Sequence, residues 1–179
     1  MSVAVSPRAV ALEILGRVRT GRVTVADALA APGAEALDER DRAFLQELVL
    51  GTLRRRGWLD YVLSGLSSRP IGTLTPGVLD ALRLGAYQLL YLRVADHAAV
   101  SESVELARAA EPRSAGFANA VLRRLQHGGT ATGPWSSAGR PTMTTMPATA
   151  RYAPTAATWW STSASAMRAP PARCAFTAS

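Results

Sequence analysis

Apolar residues recur at helical spacing along the first 127 residues of the chain. The densest stretch runs from Val78 to Leu92, where apolar side chains cover nearly every side and only Asp80, Arg83 and Gln88 are strongly polar. A helix that is hydrophobic all round packs inside a helical protein, and about 22 Å of helix is too short to cross a bilayer. We therefore predict a central core helix, with Gly85 allowing close approach of a neighbouring helix.

Six further segments carry the same period between recognisable start and stop signals. They run from Ser6 and Pro7 to Thr20, from a Thr24 cap to Pro32 and Gly33, from Asp38 to a glycine cap at Gly57, from Trp58 to Leu66, from Asp96 or His97 to Pro112, and from a Ser114 cap to Gly128. No segment shows the alternation typical of strands. The pattern predicts an all-α bundle of about seven helices, in a domain that spans residues 1–127.

The composition changes abruptly at Gly128. From there to the end the chain contains no Leu, Ile, Val, Asp or Glu. Such a segment cannot bury enough apolar surface to offset the entropy of ordering it, so residues 128–179 are predicted to be a disordered low-complexity tail. Two origins stay open: a natural tail, or a remnant translated from a shifted reading frame. The nucleotide sequence after codon 127 decides between them.

The charge of the chain is strongly positive. All 20 basic residues are arginine, against 13 acids, which gives a net charge of +7 and a pI near 10.9. Such a balance favours a polyanionic partner, so nucleic acid is the leading class. A G+C-rich gene also raises arginine content, so the total charge does not decide the matter alone.

The cysteine content and the lack of long apolar runs indicate the cellular compartment of the protein. One cysteine, Cys174, excludes an internal disulfide and a CxxC metal site. The N-terminus lacks the pattern of a signal peptide, and no run reaches 18 apolar residues. We expect a cytoplasmic protein with no membrane partner.

Eight arginines are the candidate RNA-binding residues. They lie on the first helix, at the end of the third and at the end of the last: Arg8, Arg17, Arg19, Arg54, Arg55, Arg56, Arg123 and Arg124. Guanidinium groups bind phosphate bidentately and stack on unpaired bases. Cations at a helix C-terminus also complement the helix dipole, and for the last two clusters both interpretations hold equally well.

Other polar and aromatic residues are interpreted structurally. The acids on the helices lack a partner histidine or metal cluster, so the sequence predicts no catalytic residue and no metal site. Asn119 is interpreted as a buried amide that bonds across helices. His97 is interpreted as a turn residue, and Trp58, Tyr87 and Tyr91 as packing residues.

Four sequence segments, in this order along the chain, resemble those of a known protein family. They are RDRAFLQELVLGTLRRRGWLD at 40–60, LRLGAYQLLYL at 82–92, HAAVSESVELAR at 97–108 and AGFANAVLRRL at 115–125. Together they resemble the NusB-like RNA-binding domain, and more narrowly its copy at the N-terminus of RsmB/Sun-type rRNA cytosine-5 methyltransferases. The resemblance covers residues 6–127. Ala95 departs from it, because the pattern usually has proline there.

The resemblance implies an RNA-binding module for rRNA, with RNA contacts in the region of the first helix. It also implies S-adenosylmethionine as cofactor of the full-length family, in a catalytic domain with a Gly-rich loop and a Pro-Cys motif. Neither motif occurs here, so we expect no cofactor in this chain and no methyl transfer by it alone. Two alternatives stay open: a NusB-type antitermination factor that binds RNA and a ribosomal protein, or a frameshifted remnant without a selected role.

Overall fold

Eight α-helices and two 3-10 turns make up residues 6–127, the part of the chain that the computed structural model describes. The helices are α1 Pro7–Arg19, α2 Val25–Leu29, α3 Pro32–Glu35, α4 Glu39–Arg54, α5 Arg56–Leu66, α6 Pro76–Tyr91, α7 Asp96–Ala110 and α8 Ala115–Gln126, and the 3-10 turns are Ile71–Thr73 and Pro112–Ser114. No strand occurs between residues 6 and 127, and the all-α prediction is confirmed. The predicted disorder of 128–179 lies outside the described residues.

Helix α6 is the centre of the bundle, as its apolar pattern predicts. It packs against α1, α4, α5, α7 and α8. A Cβ atom on Gly85 would lie 2.8 Å from Ser103 Oγ of α7 and 2.9 Å from Leu122 Cδ2 of α8. The predicted close approach is thus confirmed, and two helices meet α6 at this glycine. Within residues 6–127, no helix combines the length and the apolarity that crossing a bilayer requires.

Two predicted helix boundaries are wrong. Pro32 begins α3 where it was expected to end the previous helix, because a proline fits the first turn of a helix. This adds an eighth helix. Gly57 does not cap α4: the helix ends at Arg54, and Gly57 lies inside α5. Ser114 lies at the N-cap position of α8, as predicted, but its side chain does not cap the helix, since its hydroxyl donates to the carbonyl oxygens of residues 107 and 111 at 2.8 and 2.7 Å.

The predicted cap at Thr24 and the predicted helix start at Asp38 are confirmed by side-chain hydrogen bonds. Thr24 Oγ1 accepts from the backbone N–H of Asp27 at 3.1 Å, and Asp38 Oδ1 accepts from that of Asp41 at 2.7 Å. Each bond satisfies one of the free donors at the first turn of a helix. These hydrogen bonds define where α2 and α4 begin. Arg54 is the last residue of α4, at the end opposite to the Asp38 cap.

Candidate functional site

Three consecutive arginines occupy the corner between α4 and α5. Arg54 is the last residue of α4, Arg55 links the two helices with φ −106° and ψ 12°, and Arg56 begins α5. The sequence predicts that the three side chains fan around one helix end. In the structure they straddle a change of helix direction, and each has different surroundings.

Arg54 and Arg55 form the outer part of this corner. The Arg54 side chain is exposed, and within residues 6–127 it forms no ion pair. The Arg55 guanidinium carbon lies 4.1 Å from the ring centroid of Tyr91, which in turn stacks on Tyr87 at 5.3 Å. A cation over an aromatic face is attracted by the ring quadrupole. Arg55 is therefore held in one place, while Arg54 is free to meet solvent or a ligand.

Arg56 points inward. Its Nε is buried and has no hydrogen-bond partner in the described part of the chain. Burial, and then the nearby charge of Arg83, lower the pKa of Arg56 from its ordinary value. The side chain lines a pocket of about 150 Å³ between α1, α4, α5 and α6.

An ionic network centred on the buried Arg83 and Asp80 contributes to the lining of this pocket. Arg83 donates to Asp60 of α5 through Nε at 2.7 Å and Nη2 at 2.9 Å, and to Asp80 through Nη1 at 2.7 Å. Arg19 of α1 adds an Nε contact to Asp80 at 3.2 Å. Burial lowers the pKa of Arg83, but the hydrogen bonds and charges of Asp60 and Asp80 together outweigh this effect and raise the pKa above its ordinary value. The network ties α1, α5 and α6 together.

This network was not predicted from the sequence. Asp80 and Arg83 stand out in the sequence only as polar exceptions on a core helix, and Arg19 is predicted as an RNA contact. A stronger signal was available: charged residues are almost never fully buried unless they are paired, so a core helix that carries an acid and an arginine three residues apart predicts a buried pair. Asp60, the other carboxylate that Arg83 contacts, lies on a different helix, and nothing near it in the sequence indicates this pairing.

The two other arginines predicted on α1 differ in their surroundings. Arg8 donates through Nε to Gln88 Oε1 at 2.6 Å and through Nη1 to Glu102 Oε2 at 2.9 Å, and its side chain is only 13% exposed. It also lies 4.9 Å from the ring centroid of Phe44. Arg8 thus links α1 to α4, α6 and α7. Arg17 is exposed and forms no ion pair in residues 6–127.

A second exposed basic group, which we call the α8 face, lies at the C-terminal end of α5. It consists of Arg69, Arg123 and Arg124. Arg124 Nη1 donates to the carbonyl oxygen of Leu66 at 3.1 Å, and the Arg69 guanidinium lies 4.3 Å from the Phe117 ring centroid. These contacts bring the end of α5 and the residues after it against α8. Arg69 was not among the predicted site residues.

Asn119 corrects one sequence interpretation. It is half-buried, and its Oδ1 accepts from Arg123 Nε at 3.2 Å, four residues along the same helix. Among the described residues, it makes no hydrogen bond to another helix. The packing interpretation of the aromatic residues is confirmed for Trp58 and Tyr87, which are 3% and 4% exposed.

The predicted arginines therefore do not form one cluster. The α4–α5 corner and the α8 face lie at opposite ends of α5, whose 11 residues span about 16 Å. Arg8 and Arg19 lie near opposite ends of α1, and both are engaged by acids of the protein itself. A chain of nucleotides is long enough to meet both exposed groups, whereas a small ligand is not.

Comparison with known proteins gives one family and a group of relatives. The sequence model of the NusB family matches residues 5–127. Ribosomal RNA small subunit methyltransferase B of Pseudomonas putida is 37% identical over 125 residues, which cover 69% of this chain and 28% of that protein. The protein of the same name in Escherichia coli is 40% identical over 96 residues, which cover 53% and 22%.

A third relative has a more general name. It is a Mycobacterium tuberculosis protein with methyltransferase in its name, 49% identical over 87 residues, which cover 48% of this chain and 19% of that protein. The chain thus spans between about a fifth and just over a quarter of the length of these relatives. The family match contains the helices that carry the α4–α5 corner.

Proposed function

The chain belongs to the NusB family, and from this premise we propose that its helical domain binds RNA, with rRNA as the target. The relatives named as rRNA small subunit methyltransferases support rRNA as the class of ligand. In this proposal the domain helps deliver a cytosine to a methyltransferase site in a larger parent protein. S-adenosylmethionine belongs to that parent's catalytic domain, and the cytoplasm is the compartment.

Exposed arginines without acidic partners carry the proposal. Arg54 at the α4–α5 corner and all three residues of the α8 face form no ion pair within residues 6–127. Each can therefore release a counterion when it meets a phosphate, which is the main source of affinity between basic proteins and nucleic acids. Phosphate contacts of this kind position a strand without reading its sequence.

The stacked arginines add a contact suited to unpaired bases. Arg55 lies over Tyr91 and Arg69 lies over Phe117, so each guanidinium plane is oriented by an aromatic ring. Sequence-specific recognition of RNA commonly uses bases splayed from loops and stacked on aromatic rings or guanidinium planes. We therefore favour looped or single-stranded rRNA over a regular duplex.

The salt dependence of RNA binding tests the proposal. A fluorescently labelled rRNA loop fragment is titrated with the full chain at several salt concentrations, with anisotropy as the readout. Affinity should fall steeply with salt. The variant Arg54→Gln/Arg123→Gln/Arg124→Gln should flatten the slope of log K against log salt by about 0.7 for each phosphate that it no longer neutralises.

Arg40→Gln provides the matched control. Arg40 is exposed in the first turn of α4, roughly 20 Å along the helix from Arg54. Removing its charge should leave the slope nearly unchanged. If the full chain does not bind at low salt, or if Arg40→Gln flattens the slope as much per charge as the triple variant, the proposal is wrong.

A ribosomal protein as a second partner stays a prediction of the resemblance. It belongs to the alternative role in antitermination. Co-purification of a ribosomal protein with the full chain, stable at a salt concentration that removes RNA, would favour that role.

A further inference from the structure

The pocket beside the ionic network has an unusual lining. It lies where α1, α4, α5 and α6 meet, and its lining residues are Leu15, Val18, Arg19, Thr52, Leu53, Arg56, Asp80 and Arg83. Its volume of about 150 Å³ is well above the 10–15 Å³ or so that a single water needs. Three of these residues, Leu15, Val18 and Leu53, are apolar, and the other five are polar or charged.

The polar groups of this lining are mostly hydrogen-bond donors. Thr52 is 1% exposed, and its Oγ1, like Arg56 Nε, has no hydrogen-bond partner within residues 6–127. Arg19 contributes one donor to Asp80 and has others left. The only carboxylate of the lining, Asp80, already accepts from both Arg19 and Arg83. A ligand that accepts hydrogen bonds fits this arrangement, and a cation does not.

The charges around the pocket point the same way. Three guanidinium groups, Arg19, Arg56 and Arg83, face two carboxylates, Asp60 and Asp80, so one positive charge is left over. Arg83 contacts both carboxylates and Arg19 contacts Asp80, which leaves Arg56 as the cation of this group without an ion pair among residues 6–127. The lowered pKa of Arg56 agrees with this, since burial and the charge of Arg83 disfavour its protonated form. An anion placed beside Arg56 would offset both effects.

We propose that this pocket binds one phosphate group, held by the guanidinium groups of Arg56 and Arg19 and by the hydroxyl of Thr52. Phosphate offers several acceptor oxygens in a tetrahedral arrangement, and it suits the fork of an arginine. The group can come from an RNA strand or from free phosphate. Because free phosphate is a sufficient ligand, the pocket does not require the proposed RNA binding.

Binding of inorganic phosphate to the full chain is the first test. Sodium phosphate is titrated by calorimetry and by NMR of the arginine Nε–Hε signals, and sodium chloride is titrated at matched ionic strength. Phosphate should shift the Arg56 signal with saturation, while chloride should not. If the Arg56 signal responds equally to both salts, the pocket does not bind phosphate.

Two variants and a control localise the site. Arg56→Gln should weaken phosphate binding at least about tenfold, because it removes a charge-assisted contact. Thr52→Val keeps the side-chain shape and removes only the hydroxyl, so a smaller loss is expected. Arg40→Gln removes an equal charge far from the pocket and should bind phosphate as the unmodified chain does. Circular dichroism verifies the fold of each variant, and equal loss in all three would overturn the site.

A competition experiment identifies the source of the phosphate. If inorganic phosphate displaces an rRNA fragment, and does so less effectively in Arg56→Gln, the pocket takes a phosphate of the RNA. Saturable phosphate binding at Arg56 without displacement assigns the pocket to free phosphate. If RNA binds while phosphate does not, only the pocket is rejected, and if phosphate binds while RNA does not, only the proposed function is rejected.

Discussion

Tyr87 illustrates how one side chain joins two helices of the core. It lies on α6, its hydroxyl donates to Glu47 of α4, and a Cβ atom added to Gly51 would overlap its ring. Burial, followed by the hydrogen bond and charge of Glu47, raises the pKa of Tyr87 to about 12. Gly51 thus leaves the space that the Tyr87 ring occupies, and the surroundings of the phenol favour its neutral form.

The pKa of Tyr87 predicts a loss of stability in alkali. A raised pKa stabilises the fold fully below the ordinary value near 10, and this contribution disappears as the pH rises through about 12. Between these limits the free energy of unfolding should fall by up to about 2–3 kcal/mol on account of this group. The chain contains no lysine that would titrate in the same window.

Urea unfolding of Tyr87→Phe at several pH values between 8 and 12 checks this. The variant should lose less stability than the unmodified chain over the upper half of the range. At pH 8, where the phenol is neutral, the difference in the free energy of unfolding between the two proteins measures the effect of losing the hydroxyl and its hydrogen bond. Parallel pH curves would show that Tyr87 is not responsible.

The sequence predicts individual residues well where the signal is local. Gly85 was correctly expected at a close helix approach, and Trp58 and Tyr87 were correctly expected in the core. Partners that lie far apart in the sequence were not predicted, because they depend on how helices cross. Asp60 with Arg83, and Gln88 with Arg8, are of this kind.

The helix starts show which capping signals hold at the scale of the element. Asp38 accepts a hydrogen bond from the backbone of Asp41, whereas Ser6 has the extended backbone of a cap but makes no side-chain capping hydrogen bond in the described part of the chain. The sequence predicts Asp38 and Ser6 as the starts of helices. Only the first uses its side chain.

A pair of substitutions separates these two starts. Asp38→Ala should lower the free energy of unfolding by about 1 kcal/mol, because it leaves a backbone donor of α4 without its partner. Ser6→Ala should change it by only a few tenths of a kcal/mol, since its side chain makes no hydrogen bond at the cap. Urea unfolding at neutral pH measures both. Equal losses would mean that the Asp38 bond contributes nothing beyond a generic first-turn effect.

Helix ends were the least predictable elements. Gly57 looked like a cap because a glycine follows three arginines, yet α4 ends three residues earlier. The end coincides with Arg55 over Tyr91 and Arg56 in the pocket, which are contacts between distant parts of the chain. Pro32 is compatible with two opposite interpretations, as a terminator of one helix and a starter of the next, and local sequence could not choose between them.

At the scale of the whole molecule, the pattern of apolar residues predicts the all-α fold, and four sequence segments indicate the family. The positions of the basic residues on the folded surface could not be predicted in this way. Eight arginines were predicted as one RNA-binding set, but two of them, Arg8 and Arg19, are paired with acids from distant parts of the chain. The two exposed groups are set apart by the length of α5. Their RNA-binding role stays a prediction.

The position of α6 among five other helices has a dynamic consequence. Because α1, α4, α5, α7 and α8 all pack on it, exposing the whole of α6 requires most of the bundle to separate. Its backbone amides should therefore exchange with deuterium only through global unfolding, while those of the short α2 and α3 exchange orders of magnitude faster. Mass spectrometry of deuterated peptides would detect the difference. Early labelling of residues 82–88 would contradict the prediction, because it would show that part of the domain unfolds locally and exposes α6.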